Sequence, residues 1–358
     1  MNSDKIAILI PAHNEALTIG KTLTSLLPQL TSNDRLIVVA DNCTDDTATI
    51  ARKFNATVLE RKNSLELGKG YALDYGIQFL KSDPPSIVVL IDADCTVHGN
   101  TVQQLAKLTL SSSRPVQATY LQDRPRNPSP KDTISALAIL VKNFVRLRGL
   151  ANLNLPCLLY GTGMAFPWSA IEKVSLANSN IVEDMQLAID LAIAGYPPLY
   201  CPLAKVTGIL PRERQACKTQ RTRWEHGHLK TLVTQVPRLI KAAIAQKRWG
   251  LLILALDLGV PPLSLLVMVW GTTTVTAMIL GIMTSLWLPL FVLAITGLLI
   301  LISILGSWIK FGRDIPGLVL LTIPLYILWK IPLYLAFLLQ PQTEWIKTKR
   351  DELSQVKS

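Results

Sequence analysis

The last third of this 358-residue chain constrains its fold most: residues 251–340 are almost free of charge, whereas residues 1–248 are mixed in character. Leu251 to Gly281, Leu286 to Gly306 and Ile315 to Leu339 each meet or exceed the ~20 residues needed to cross a hydrocarbon core at about 1.5 Å per residue. All three are expected to be membrane helices. The expected organisation is a globular domain at 1–248 with interfacial helices from about residue 205, a transmembrane helical region at 249–342 and a polar tail at 343–358. Met1 to Pro11 has too short an apolar run and the wrong flanks for a signal peptide, so the first domain is expected in the cytoplasm, beside the cell membrane that a multi-pass anchor enters.

The net charge is +11, but its location argues against nucleic acid as the partner. Between Lys205 and Arg248 basic residues far outnumber the acidic Glu213 and Glu225, immediately before the first apolar segment. That placement fits the positive-inside rule and attraction to anionic membrane lipid. Cys43, Cys95, Cys157, Cys201 and Cys217 have neither metal-ligand nor Cys-x-x-Cys spacing, so reduced, mostly buried thiols are expected and disulfides are not.

Short apolar runs alternate with helix-like patterns through the first hundred residues. Strands are expected at Ile6–Ile10, Leu36–Ala40, Ala56–Glu60 and Ser86–Ile91, with helices running on to Leu27 and over Ala48–Phe54 and Lys69–Phe79. Such β/α alternation implies a mostly parallel, Rossmann-like sheet with helices on both faces, an α/β fold. Ligands of such sheets sit at the carboxyl ends of the strands. Asn14, Glu15, Asp41, Asp92 and Asp94 fall there. A further strand is expected at Gln117–Leu121, then a helix over Thr133–Leu150 whose apolar face is broken by Lys142, Arg146 and Arg148. It reads either as a membrane-surface helix or as a packing helix.

Asp92-Ala-Asp94 is weak as a bare pattern, because two acids around a small residue are common at strand ends. Its position is more telling: the carboxylates emerge where a diphosphate could lie, and hard oxygen donors there suit Mg²⁺ or Mn²⁺. Glu183-Asp184 opens a helix expected over Met185–Ala194, where acids in the first turn also serve as ordinary caps. Gln220, Arg223 and Trp224 share a helix face by their i, i+3, i+4 spacing. A guanidinium there offers a fork of donors to phosphate, and an indole a flat face for a sugar ring. His226 and His228 project about 200° apart on a helix and have no third ligand nearby, so a surface role is expected for them, as for His13 and His98.

In order along the chain, Pro11-Ala-His-Asn-Glu15, Val38-Val-Ala-Asp41, Gly68-Lys-Gly-Tyr-Ala72, Asp92-Ala-Asp94, Gly161-Thr-Gly163, Glu183-Asp184 and Gln220-Arg-Thr-Arg-Trp224 resemble the family 2 glycosyltransferases. The look is that of membrane-bound cellulose, hyaluronan and poly-N-acetylglucosamine synthases, over about residues 4–230. The resemblance implies a GT-A fold, a UDP-sugar donor and inversion to a β-linkage. It places Pro11, Glu15, Asp41, Lys69, Asp92 and Arg223 around the nucleotide-sugar and Asp94 on the metal. It also makes Asp184 the general base with Glu183 positioning it or the acceptor, and puts Gly161, Thr162, Gly163, Gln220 and Trp224 beside the acceptor. Ala40 departs from the pattern, since many relatives carry a second acid there.

Three spans from a cytoplasmic start would leave Lys347, Lys349 and Arg350 outside, against the usual bias. Lys330 at mid-span would itself cost about 2.5–3.5 kcal/mol. The third segment, which also holds Pro324 and Pro332, is therefore expected to be a re-entrant or interfacial element that returns the tail to the cytoplasm. Large polymer-exporting synthases carry membrane helices ahead of the catalytic domain as well. Transfer to a lipid-linked or glycan acceptor is accordingly expected at least as much as processive synthesis. A silent nucleotide-sugar-binding membrane subunit and a nucleotidyl- or phosphotransferase are the competing readings.

Overall fold

The computed structural model describes residues 5–125, 127–178, 182–209 and 214–339, with side chains 209 and 214–218 left aside. The polar tail expected at 343–358 and the side chain of Cys217 lie outside the described structure.

The first half alternates as β1 (Ile6–Ala12), α1 (Ile19–Leu26), β2 (Arg35–Asp41), α2 (Thr47–Lys53), β3 (Thr57–Arg61), α3 (Lys69–Leu80), β4 (Ile87–Leu90), β5 (Thr96–His98), α4 (Thr101–Ser112) and β6 (Val116–Asp123). Next come α5 (Pro130–Leu140), a π-helical turn (Val141–Arg146) and α6 (Leu147–Asn152), then β7 (Met164–Pro167), α7 (Trp168–Ile171), α8 (Glu183–Ile193) and β8 (Leu199–Ile209). The C-terminal helices are α9 (Arg214–Gln246), α10 (Trp249–Gly259), α11 (Leu263–Thr284), α12 (Leu288–Phe311), α13 (Gly317–Leu320) and α14 (Ile323–Leu339).

One eight-stranded sheet runs in the order β3-β2-β1-β4-β7-β6-β8-β5. The first four strands are mutually parallel, as their apolar runs predict, and β6 also lies parallel to β8. β7 is antiparallel to both its neighbours, and β5 is antiparallel to β8, so the sheet is mixed beyond β4. The period of two along each strand separates two cores. Ala7, Leu9, Ile37, Val39, Val88 and Leu90 meet α3, α8 and α10 on one face. Ile8, Ile10, Leu36, Val38, Ile87 and Val89 meet α1 and α4 on the other. Burial on both faces is why these strands read as continuous apolar runs.

The apolar C-terminal stretch departs from its expected division. Leu251 to Gly281 is not one helix: Pro261 and Pro262 break it, and Leu251, Leu254, Ala255 and Leu258 of α10 are buried in the sheet domain's core. Ile315 to Leu339 likewise divides into α13 and the 17-residue α14. Among the described residues two helices are long and apolar enough to cross a membrane, α11 (22 residues) and α12 (24 residues). Lys330 of α14 is buried and ion-paired with Glu225 of α9. His226 and His228 are not surface residues. Both are buried, their Nε2 atoms 2.9 Å from the Leu333 carbonyl and 3.3 Å from the Leu258 carbonyl. Cys43, Cys95, Cys157 and Cys201 are free thiols.

Candidate active site

The site lies at the carboxyl ends of β1, β2 and β4, where strands give way to polar loops. Beyond β4 the side chains alternate: Ile91, Ala93 and Cys95 are buried, while Asp92 and Asp94 reach the cleft half-buried. The carboxylates of Asp92 and Asp94 and the Cys95 thiol have ligand atoms within 4.8 Å of one another. Burial, then the charges of Asp94 and Asp92, raise the Cys95 thiol well above its ordinary range. The thiol stays protonated, so the hard donors here are the two carboxylates, and these fit Mg²⁺ or Mn²⁺.

Lys69, the first residue of α3, joins the two acidic groups. Its Nζ lies 2.5 Å from Asp92 Oδ1 and 3.6 Å from Glu183 Oε1, and it donates to the Gly161 carbonyl at 2.6 Å. Burial alone would depress this ammonium, but Asp92 and Glu183 outweigh it and hold its pKa above the usual lysine value. The helix start can come so close because Gly70 lacks a side chain: a Cβ there would stand 2.5 Å from the Leu176 carbonyl oxygen.

Gly161-Thr-Gly163 forms the floor. The Asp92 N–H donates to Thr162 Oγ1 at 3.0 Å. Gln117 Nε2 donates to the Thr162 carbonyl at 2.9 Å, and Gln117 Oε1 accepts from the Tyr160 N–H at 2.8 Å. Gly161 has φ +82°, and a Cβ there would lie 3.4 Å from Asp184 Oδ2 and 3.8 Å from Lys69 Nζ. Asp184 and Lys69 therefore border the same cleft. At the start of α8, Asp184 Oδ1 accepts from the Met185 N–H at 2.8 Å. Burial first, and the neighbouring Glu183 second, push the Asp184 carboxyl up to about 7.

A second group lies at the ends of β1 and β2. The Glu15 N–H donates to Thr47 Oγ1 at 2.8 Å, and its carboxylate accepts from Thr18 Oγ1 at 2.8 Å. His13 Nδ1 lies 2.6 Å from the Asp41 carbonyl, next to Pro11 at the same strand end. Asp41, buried, accepts from Arg61 Nη1 at 2.8 Å and from Asn42 Nδ2 at 3.1 Å. Arg61, which no motif singles out, also donates to the Glu66 carbonyl and carboxylate, both at 2.9 Å. It closes β3, one residue beyond the expected strand Ala56–Glu60, and stands opposite Asp41 in the parallel register.

Gln220, Arg223 and Trp224 are half-buried on α9. Arg221 and Glu225, one turn apart, hold an adjoining face of this helix against Asp132 of α5 (3.0 Å) and Lys330 of α14. Further along, Arg238 pairs with Asp190 of α8 at 2.6 Å. The helix is thus fastened to the one that carries Glu183 and Asp184. The structure brings together Lys69, Asp92, Asp94, Gly161, Thr162, Glu183 and Asp184, and assembles Glu15 and Asp41 as a neighbouring group.

A mixed sheet of this order, with an Asp-x-Asp pair after its central β4 and an acid-bearing helix across the cleft, defines the GT-A fold class. The family model described as "Glycosyl transferase family 2" matches residues 7–147, and that described as "Glycosyl transferase family group 2" matches residues 87–339. The chain belongs to this family. It is 27% identical over 243 residues to "Probable glycosyltransferase YdaM" of Bacillus subtilis, covering 63% of this chain and 55% of that one. It is 25% identical over 261 residues to "Poly-beta-1,6-N-acetyl-D-glucosamine synthase" of Staphylococcus aureus, covering 70% and 60%. The chain therefore spans a little over half the length of these relatives. Among solved structures, a mannosyltransferase from Pyrobaculum calidifontis in complex with GDP-Man and Mn²⁺ aligns over 88% of each chain, at 15% identity and a TM-score of 0.49.

Proposed function

We propose that the chain is an inverting, membrane-associated glycosyltransferase that moves a sugar from a UDP-sugar to a lipid-linked or glycan acceptor, forming a β-glycosidic bond. The observation that carries this reading is Lys69, whose ammonium stands between Asp92 and Glu183 and so ties the Asp-x-Asp pair and the acids of α8 into one cleft. Family membership and the similarity to a β-linking synthase support the reaction class. The exposed apolar surfaces of α11 and α12 support a membrane setting.

In this reading Pro11, Glu15 and Asp41 border the nucleoside, with Arg61 fixing the Asp41 carboxylate. Asp94, with Asp92 beside it, would hold the divalent cation. When bound, that cation supplies Lewis-acid neutralisation of the charge on the departing diphosphate. Asp184 accepts the proton of an acceptor hydroxyl as its oxygen attacks the anomeric carbon. The bond to the diphosphate oxygen breaks on the opposite face, and UDP leaves with the electron pair. A base with a pKa near 7 suits this step, because it is half ionised at neutral pH and still basic enough to take the proton. Glu183 positions Lys69 across the cleft from Asp184. Gln220, Arg223 and Trp224 on α9 are assigned to the diphosphate and acceptor side.

The test is release of UDP by membranes that carry the chain, given labelled UDP-sugars with Mg²⁺ or Mn²⁺. Chelation and Asp94→Ala are expected to abolish it. Asp184→Asn is expected to reduce turnover by about 10²–10⁴-fold, the usual worth of a general base, while UDP still binds. Normal turnover in both variants would withdraw the assignment. Label that enters a lipid extract supports single transfer, and label in an insoluble polymer supports processive synthesis.

A further inference from the structure

The π-helical turn Val141–Arg146 carries two cations that the reaction above does not use. π-helical turns inside α-helices recur at functional sites, and this one presents Lys142 and Arg146 to the same residue, Tyr160. Arg146 Nη2 donates to the Tyr160 hydroxyl at 2.8 Å, and its Nε lies 3.2 Å from the Asp257 carboxylate. Its charge is therefore matched. Lys142 Nζ sits 5.1 Å from the centroid of the Tyr160 ring, and among the described residues it has no carboxylate partner. Tyr160 leads directly into Gly161, whose bare Cα leaves the space beside Asp184 Oδ2 open. Lys142 thus lies against the ring of the residue that precedes Gly161, and its charge and that of the candidate base bear on each other.

The charges around it do not balance. Arg146, Asp257, Asp184 and His228 face the Lys142 ammonium. Asp257 is committed to Arg146. Burial lowers His228 to about 3, so it is neutral at pH 7. Asp184 loses its charge whenever it holds the acceptor's proton. Burial, then Arg146, bring Lys142 down to about 8, which leaves it mainly protonated at pH 7. A half-buried ammonium with no carboxylate in ion-pair contact among the described residues, and whose charge bears on the group assigned to face the acceptor, is a ready partner for an anion, and a lysine serves phosphate as a compact point charge.

We propose that Lys142, steadied by Tyr160, seats a phosphate that the acceptor carries close to its reactive hydroxyl. This rests on the reading of Asp184 as the acceptor-side base. It narrows the acceptor to phosphate-bearing alcohols, supplied either by a lipid headgroup or by a soluble phosphate ester.

The test uses the full chain in phosphatidylcholine nanodiscs saturated with UDP and Mg²⁺, titrated with inorganic phosphate and read calorimetrically. Wild type is expected to bind phosphate. Lys142→Gln is expected to weaken that binding about tenfold or more, as loss of a charge-assisted contact does, with UDP affinity and unfolding temperature unchanged. Lys142→Arg, which keeps the charge, is expected to restore it. In discs that also contain phosphatidylglycerol, displacement of the phosphate identifies a lipid headgroup as the source, and undiminished binding identifies a soluble ester. Equal phosphate affinity in wild type and Lys142→Gln, or no phosphate binding by a wild type that still binds UDP, overturns the proposal. Loss of UDP binding by the wild type would instead count against the glycosyltransferase reading itself.

Discussion

At the scale of single residues, chemistry in this cleft is governed by what burial does to carboxylates. Asp184 reaches a pKa of about 7 because burial disfavours its charged form and Glu183 adds a like charge. In the base role proposed for Asp184 the useful form is the ionised one, so the expected sign is fixed: activity rises with pH through the raised pKa and falls below it. The profile of kcat/KM, which reports the free enzyme, is expected to bend near pH 7 and drop about tenfold per unit on the acid side. Asp184→Asn is expected to lose that limb along with most of its rate. A limb that stays at pH 7 in the variant would assign the titration to another group. Asp184 itself was legible as one acid of a pair opening a helix. Arg61 was not, because its partner Asp41 comes from a different strand and is set opposite it only by the β2–β3 register.

Among elements, the junctions do the positioning, and two of them can be broken selectively. The start of α3 brings Lys69 to the acids only because Gly70 rests against the 176–178 backbone, where a Cβ would meet carbonyl oxygens at 2.5 and 2.6 Å. Gly70→Ala is therefore expected to lower UDP affinity and thermal stability together, measured by titration and unfolding of the same preparation. The pair Lys330–Glu225 fastens α14 to α9. Removing one member leaves a buried charge and is expected to cost about 3–5 kcal/mol, whereas Lys330→Met with Glu225→Leu should cost far less. Additive losses in that double-mutant cycle would show that the two groups act independently. The same elements mark what sequence patterning can reveal. β1 to β4 were legible as apolar runs closed by polar turns, but β5 is three residues long and β7 ends on Pro167, so neither has a period to read. Hydropathy likewise failed to separate α10 from α11, since an apolar face buried in a protein core and one exposed to lipid have the same composition. Only Pro261 and Pro262 marked the break.

For the molecule as a whole, the tension is between a sheet domain with an acid-lined polar cleft and a helical region whose outer surface is apolar. α12 exposes Phe291, Val292, Ile295, Leu298, Leu299, Leu301 and Ile302, and no residue in its most apolar stretch is buried. At about 25 cal/mol per Å², leaving that much apolar surface in water is untenable for a monomer. Either lipid or another protein surface must cover it, and the length of the helix, 24 residues, matches a hydrocarbon core. The two halves are also mechanically joined. α10 is buried in the sheet domain's core, α12 meets the π-helical turn through Phe311 and Phe144 (ring centroids 5.0 Å apart), and α14 packs on α5 and α9. A membrane around α11 and α12 would therefore hold the cleft at a fixed height above the bilayer. The chain is expected to stay in the membrane pellet after an alkaline carbonate wash and to leave it only in detergent. Replacing Leu298 and Ile302 of α12 by Lys, at about 2.5–3.5 kcal/mol each, should shift it toward the soluble fraction. If the unmodified chain were instead washed off as a soluble oligomer, α11 and α12 would be a protein interface, and the acceptor would have to arrive from solution.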